Sequence, residues 1–253
     1  MGADIHDFCE VNGNGSWEKV GDEFENPYYR PEDPLDDWNR PRTNHPYGMR
    51  NYSLFGFLAG VRSDEVPALA QPRGVPEDAS GEYKAEVKRW GCDGHSHSYF
   101  TLQELLDYPY YDESAPREGY VTLDEYARYK REGHPNSWCG GVGGGMVVHL
   151  SNEDMDELVA DPDFPKKNTK KLFEIIRKCN KQYPVVLANI EKLEAKYEDS
   201  GVVPEFHYYT HITWKQPARE CLGEWWFKSL EQMKKLAPDG DYSKVRYVFF
   251  FDN

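Results

Sequence analysis

The sequence predicts an α+β fold, with helices and long ordered loops around a mostly antiparallel sheet, in a single domain of residues 1–253. Four or five apolar or alternating segments typical of strands are separated by segments with helical spacing and by long loops. The Asn-Gly-Asn-Gly sequence at 12–15 joins two such strands, and its residues tolerate the positive φ of a hairpin turn. No change in composition indicates a linker, and a chain of 253 residues can bury a core without disulfides.

The first half of the chain is predicted to alternate between regular elements and ordered loops. Residues 25–49 are dense in Pro, Asp, Asn and Tyr without periodicity, and their aromatic side chains favour an ordered loop over disorder. Asn51 is a suitable N-cap for the helix after it. In order, the patterns predict a hairpin of residues 3–11 and 16–20, a loop over 25–49, a helix over 51–59, a loop over 67–76 and a polar helix over 78–90.

The second half is predicted to be richer in helices. The Thr-x-x-Glu sequences at 101–104 and 122–125 are both typical of capping boxes. Pro184 is expected to interrupt a long amphipathic segment, because proline removes a helix hydrogen bond. The remaining patterns predict strands over 146–150, 205–214 and 245–251 and helices over 151–159, 168–196 and 218–236.

Composition excludes several classes of function. The formal net charge of −14 argues against binding a nucleic-acid duplex, which needs clustered basic residues, but leaves room for a small anionic ligand in a locally basic pocket. Five cysteines are an odd number, no apolar stretch approaches a membrane span, and no leader pattern opens the sequence. We therefore expect a reduced, soluble protein of the cytoplasm that does not insert into membranes.

Two Asp/His stretches are the best candidates for an active site. Residues 91–98 read Gly-Cys-Asp-Gly-His-Ser-His-Ser, and alternation in an extended chain would project Asp93, His95 and His97 the same way. Near the N-terminus, Asp4 and His6 share one face of a predicted strand. All five are predicted catalytic residues if the two stretches meet in one cavity.

These residue types fit either a metal site or proton transfer. Imidazole and carboxylate bind divalent ions, so Asp4, His6, His95 and His97 are predicted ligands of Zn²⁺, Mn²⁺ or Mg²⁺, and neutral imidazole also exchanges protons near pH 7. Asp93 would orient an imidazole. The alternative is a surface loop whose side chains hydrogen-bond to one another, because no spacing matches a zinc signature closely.

A second pair of histidines raises a different hypothesis. His149 and His211 each precede an apolar residue and a hydroxyl on a predicted strand, the pattern of two-histidine phosphoesterases in which one imidazole takes a proton and the other donates one. Ser151 is equally well explained as a helix N-cap. The glycine run at 140–145 lacks the Lys-Ser/Thr of a P-loop and precedes a strand, so it predicts a turn.

Substrate contacts are predicted from arginines at the ends of loops. Arg50, with Asn51 and Tyr52, and Arg73 lie where a loop meets a predicted element, and guanidinium pairs bidentately with phosphate. Trp90 beside the second Asp/His stretch offers a ring for stacking.

Several segments together resemble a family of proteins encoded mainly by bacteriophages and prophages. The family usually has Cys where this chain has Ala3, and the resemblance implies a phage setting while leaving the activity open. It is carried by Gly2-x-Asp4-Ile5-His6, Asn26-Pro27-Tyr28-Tyr29, Arg50-Asn51-Tyr52-x-Leu54-Phe55, Pro72-Arg73-Gly74-x-Pro76, Trp90-Gly91-Cys92-Asp93-Gly94-His95-Ser96-His97-Ser98, Thr101-Leu102-x-Glu104-Leu105 and Phe249-x-Phe251-Asp252-Asn253.

Three functions remain open from the sequence. The first is a phosphodiesterase-type hydrolase of a small nucleotide, such as a cyclic nucleotide signal of host defence, acting in the host cytoplasm. The second is a protein that sequesters such a nucleotide without cleaving it, by stacking and arginine contacts across a homo-oligomer interface. The third is an acidic inhibitor that binds a basic host protein, for which the net charge is the argument.

Overall fold

The computed structural model describes residues 2–144, 146–161, 163, 168–200 and 206–252. They group into two compact units, Met1–Ala115 with Pro217–Asn253 and Pro116–Gln216. The predicted α+β class with mostly antiparallel sheets is confirmed. The prediction of one domain over 1–253 stays a prediction. In the described part of the chain, no helix is long and apolar enough to cross a membrane.

The strands are β1 (Asp4–Asn12), β2 (Trp17–Lys19), β3 (Phe24–Glu25), β4 (Arg42–Thr43), β5 (His95–Thr101), β6 (Ser114–Thr122), β7 (Val147–His149), β8 (His207–Pro217) and β9 (Val245–Asp252). The helices are α1 (Tyr52–Ala59), α2 (Gly81–Trp90), α3 (Leu102–Leu106), α4 (Leu123–Glu132), α5 (Asn152–Ala160), α6 (Thr169–Cys179), α7 (Pro184–Ser200), α8 (Ala218–Leu222) and α9 (Glu224–Lys234). Short 3-10 turns cover Pro238–Gly240 and Tyr242–Lys244.

The first unit is built on a four-stranded sheet in the order β2-β1-β9-β5, with every pair antiparallel. Its central strand, β9, is almost entirely buried because both of its faces are covered. Tyr247, Phe249 and Phe251 belong to the larger core with α1, α8 and α9, whereas Val248 and Phe250 pack on the opposite face with α2. The predicted hairpin is confirmed as β1 and β2, and the predicted terminal strand as β9.

Capping explains where the helices of the first unit begin. The Asn51 side chain accepts a hydrogen bond from Leu54 N and caps α1, as predicted. The box predicted at 101–104 is complete, because Thr101 and Glu104 each accept from the other's backbone N–H. The predicted 218–236 helix is instead two helices, because Gly223 lies between them at φ 82°, outside helical geometry.

The loop predicted over 25–49 is ordered, but it also contains a short pairing that the sequence reading missed. The strands β3 and β4 pair with each other and tie the ends of this loop together. The side chain of Asn39 holds the tip by donating to the carbonyls of Arg30, Asp33 and Pro34. The segment is therefore a fixed surface beside β1.

The second unit has a three-stranded sheet in the order β6-β8-β7, in which β7 and β8 run parallel. Ser151 caps α5 and Pro184 begins α7, both as predicted. The box predicted at 122–125 is only half formed, because Glu125 accepts from Asn136 N instead of closing it. Residues 145 and 205, which the sequence reading assigned to the glycine run and to a strand, lie outside the described residues.

Candidate functional site

The two Asp/His stretches come together at one aromatic ring through His6 and His97. Both β1 and β5 pair with β9, and His6 lies directly opposite Phe250. The Phe250 ring is stacked by His6 at 4.9 Å and by His97 at 5.1 Å between ring centroids. Two imidazoles that are far apart in the sequence therefore pack on the same aromatic ring.

Trp90 and Gly94 lie beside the two histidines and Phe250. Trp90, the last residue of α2, has its ring centroid 4.1 Å from that of His6. A Cβ on Gly94 would lie 3.3 Å from both Phe250 and Trp90, closer than ordinary van der Waals contact. Glycine at 94 is therefore needed for close packing. We call His6, Trp90 and His97 the imidazole cluster.

A β-bulge changes how the second stretch presents its histidines. His95 lies opposite Phe251, but the register shifts by one residue before Ser98, and Ser96 adopts φ 51°, a strained value for a non-glycine residue. Because successive residues of β9 point to opposite faces, His95 and His97 meet different faces of the sheet. The expected common projection of Asp93, His95 and His97 is therefore wrong, and Asp93 lies in the turn before the strand.

Four ring nitrogens in the imidazole cluster and in the neighbouring His95 are buried without a hydrogen bond among the described residues. They are Nε2 of His6, His95 and His97 and Nε1 of Trp90. A buried polar atom left unpaired costs about 1–3 kcal/mol, so native proteins seldom group several of them. His95 Nδ1 lies 3.0 Å from Ser96 Oγ, and if that hydroxyl donates, the His95 Nε2 carries the proton. These nitrogens suit an oxygen-rich polar ligand.

The two stacked histidines have different electrostatic surroundings. Burial lowers the pKa of His97, and the neighbouring His95 lowers it further, so His97 is neutral at pH 7. His6 Nε2, by contrast, lies 3.4 Å from a carboxylate oxygen of Asp252. Sequence reading missed Asp252, although alternation along the terminal strand puts it on the face of Phe250.

Asp4 and Arg50 bind each other. The guanidinium donates from Nε and Nη2 to both Asp4 oxygens at 2.7–2.9 Å, and both side chains are half exposed. The roles predicted for them, Asp4 in catalysis and Arg50 on a phosphate, would require this pair to open.

The other predicted substrate residues make contacts that support the fold. Arg73 pairs through two bonds with Glu104 and stacks on Phe100 at 4.5 Å. Asn51 donates to the carbonyls at the end of α8 as well as capping α1. Tyr52 OH accepts from Ala3 N at 3.4 Å.

The metal prediction gains no support from side-chain placement. Among the residues described, no three His, Cys, Asp or Glu side chains are placed to hold a metal ion, so Zn²⁺, Mn²⁺ or Mg²⁺ at Asp4, His6, His95 and His97 stays a prediction. Asp93 and Cys92 are exposed neighbours, with Sγ 4.0 Å from Oδ1.

A pocket beside the imidazole cluster was missed by the sequence analysis. Its volume is about 510 Å³, and His6 and Ile5 of β1 line it together with the 22–48 segment. The buried carboxylate of Asp7 lies behind it and accepts from Tyr47 N at 2.6 Å and Gly48 N at 3.1 Å. The sequence signal that could have indicated this pocket is the presence of aromatic and basic residues in a loop without periodicity.

His45 connects this pocket to the buried carboxylate. Burial alone would lower the pKa of His45, but its hydrogen bond and charge interaction with Asp7 outweigh burial and raise it. Its Nδ1 lies 2.8 Å from the Asp7 carbonyl and 3.6 Å from a carboxylate oxygen. A favourable site for positive charge therefore faces the pocket.

The second histidine pair lies in the second unit. His149 and His211 each contact the ring of Tyr120 edge-on, at 5.1 and 5.0 Å between centroids. His149 Nε2 lies 3.1 Å from the Val142 carbonyl, and the Ser151 hydroxyl caps α5. The contacts of His149 and Ser151 support the structural alternative for this motif.

Comparison with known proteins does not add a relative: no protein-family model matches the chain, and neither a curated protein nor a solved structure does.

Proposed function

We propose that the chain is a hydrolase of small nucleotides that cleaves a phosphodiester by proton transfer between two histidines. The observation that carries the proposal is the packing of His6 and His97 on Phe250, with the Asp252 carboxylate 3.4 Å from His6. Two imidazoles in unlike environments are suited to opposite proton-transfer roles.

The different environments assign the roles. His97, neutral because its pKa is lowered, takes a proton from a water molecule as that water attacks phosphorus. The bond from phosphorus to the leaving oxygen breaks, and His6, which lies 3.4 Å from the Asp252 carboxylate, gives that oxygen a proton. The Nε1–H group of Trp90 binds a phosphoryl oxygen.

The reaction requires access to nitrogens that are covered in this conformation. Gly94 of the 91–94 turn lies against Trp90, Phe250 and His97, whereas a Cβ on Gly91, which leaves α2 at φ 54°, would meet no atom within 4 Å. We propose that this turn moves to admit the phosphoryl group, as loops over active sites commonly do.

The resemblance to phage-encoded proteins points to a class of substrate. Cyclic nucleotides that signal in bacterial defence are small phosphodiesters, and their removal in the host cytoplasm would benefit a phage. The substrate class is thus inferred by analogy, from the phage setting that the resemblance implies.

A second candidate is a protein that binds the nucleotide without cleaving it. It is favoured by the pairing of Asp4 with Arg50, which occupies a predicted catalytic carboxylate, and by the open pocket next to a covered imidazole cluster. In this case the histidines only donate hydrogen bonds.

Incubation of the purified protein with cyclic mono- and dinucleotides, followed by chromatography of the products, tests the proposal. We expect cleavage without added metal and in the presence of chelator, and a loss of about 100-fold or more in His6→Gln and His97→Gln. His207→Gln, an exposed histidine of the second unit, is the matched control and should keep full activity. Intact nucleotides under every condition, with binding retained, would replace the hydrolase by the second candidate.

A further inference from the structure

The pocket lined by residues 22–48 carries an unusual tryptophan. Trp38 lines this pocket and is 87% exposed, the largest exposed fraction among the large hydrophobic side chains of the described residues. An exposed indole forfeits the hydrophobic stabilisation that burial would give, so its position needs another explanation.

The backbone around Trp38 is nevertheless held firmly. Trp38 N and Asn39 N both donate to one oxygen of Asp36, at 2.7 Å each. Asn26 Nδ2 donates to the carbonyls of Trp38 and Arg40, at 3.0 and 2.8 Å. The ring is therefore presented to solvent from a fixed backbone, which lowers the entropy cost of binding a ligand.

The charged residues of the lining are Arg40, Arg42, Asp22 and Asp37, and His45 lies among them. Arg42 lines the pocket and donates from Nη1 to the carbonyl of Glu23, which fixes the guanidinium in place. His45, whose pKa is raised by Asp7, lies on the same wall. Arg40 is already paired with Asp37 at 3.0 Å, so Arg42 is the better anion contact.

We propose that this pocket is the nucleoside-recognition site of the chain, with a planar heterocycle stacked on Trp38 and an anionic phosphoryl group contacted by Arg42. A volume of about 510 Å³ suits a mononucleotide, and aromatic rings take any base through its π-face. The inference rests on the proposed function, since His6 lines the same pocket and would meet the phosphoryl end of the ligand.

Titration of the full chain with AMP, GMP and adenosine, with binding measured by calorimetry, tests the site. We expect Trp38→Ala to weaken AMP binding about tenfold or more, because stacking on an aromatic ring is worth about 1–3 kcal/mol and 1.4 kcal/mol is tenfold. Arg42→Gln should weaken AMP binding but leave adenosine binding unchanged. Leu35→Ala, an exposed residue of the same loop that does not line the pocket, is the matched control.

The outcomes separate this inference from the hydrolase. Wild-type protein that binds AMP but leaves cyclic nucleotides intact would keep the pocket in place and remove the enzyme. Unchanged affinity in Trp38→Ala overturns the inference, as does wild-type protein that binds no nucleotide at millimolar concentration. The latter result would make Trp38, Leu35 and Tyr28 a contact surface for another protein.

Discussion

One face of β1 and β9 carries polar side chains near both of its ends. The two ends differ in how completely these polar groups are paired. At one end Glu10 lies opposite Arg246, and at the other His6 lies opposite Phe250. The guanidinium of Arg246 donates to Glu10 and Asp78 and stacks on Trp17 at 4.0 Å.

The Arg246 end is fully paired. Glu10 also accepts from Ser80 N at 2.8 Å, so both of its oxygens are used although the side chain is completely buried. Four strand positions away along β1, His6 Nε2 lies buried without a hydrogen bond. The same sheet can therefore satisfy buried polar groups, which argues that the unpaired end is retained for binding or chemistry rather than for stability.

Substitution at the paired end is expected to change the free energy of unfolding most. Arg246→Met leaves the Glu10 carboxylate buried without its partner and should lower the free energy of unfolding by about 3–5 kcal/mol. Urea denaturation followed by circular dichroism measures it. Arg89→Met, which removes an exposed pair with Glu86, should cost less than about 1 kcal/mol. Equal losses in the two variants would contradict the structural role of the Arg246 end.

The unpaired end should respond weakly in stability. His6→Phe keeps a flat ring between Phe250 and Trp90 and removes a nitrogen that lies 3.4 Å from Asp252 without forming a hydrogen bond. We therefore expect the free energy of unfolding to stay within about 1 kcal/mol of wild type, with cleavage lost. The same urea denaturation measures this change in the free energy of unfolding. A loss above about 2 kcal/mol would show that the His6 nitrogen stabilises the fold.

The smallest expected effect is a pH dependence of opposite sign at two histidines. The lowered pKa of His97 means that stability falls as pH falls below about 6.5, because the unfolded chain binds the proton more readily. The raised pKa of His45 gives stability that is fully present below about 6.5 and is lost as pH rises through its folded value. Denaturation between pH 5 and 8 should therefore show acid sensitivity reduced in His97→Gln and increased in His45→Gln. Parallel profiles in both variants would refute the assignment.

Local sequence signals predicted most of the regular elements. The caps at Asn51 and Ser151, the interruption at Pro184 and the turn after Asn12 each depend on neighbouring residues, and each was confirmed. The break at Gly223 was missed because glycine within an apolar helical pattern is also tolerated in an intact helix.

The candidate site was only partly predictable. Alternation identified His6 and His97, but their common neighbour, Phe250, depends on which strand lies between β1 and β5, and pairing order is not encoded locally. The bulge at Ser96 and the Asp4–Arg50 pair likewise depend on tertiary contacts.

The position of β9 between β1 and β5 has a consequence for synthesis. Its residue Asp252 accepts a hydrogen bond from Asp4, 248 positions earlier, so the first strand must wait for the synthesis of β9 before it gains its main neighbour. Contacts of such long sequence separation form slowly and late. A nascent chain therefore lacks the imidazole cluster until residue 252 has left the exit tunnel, and we expect no activity before then.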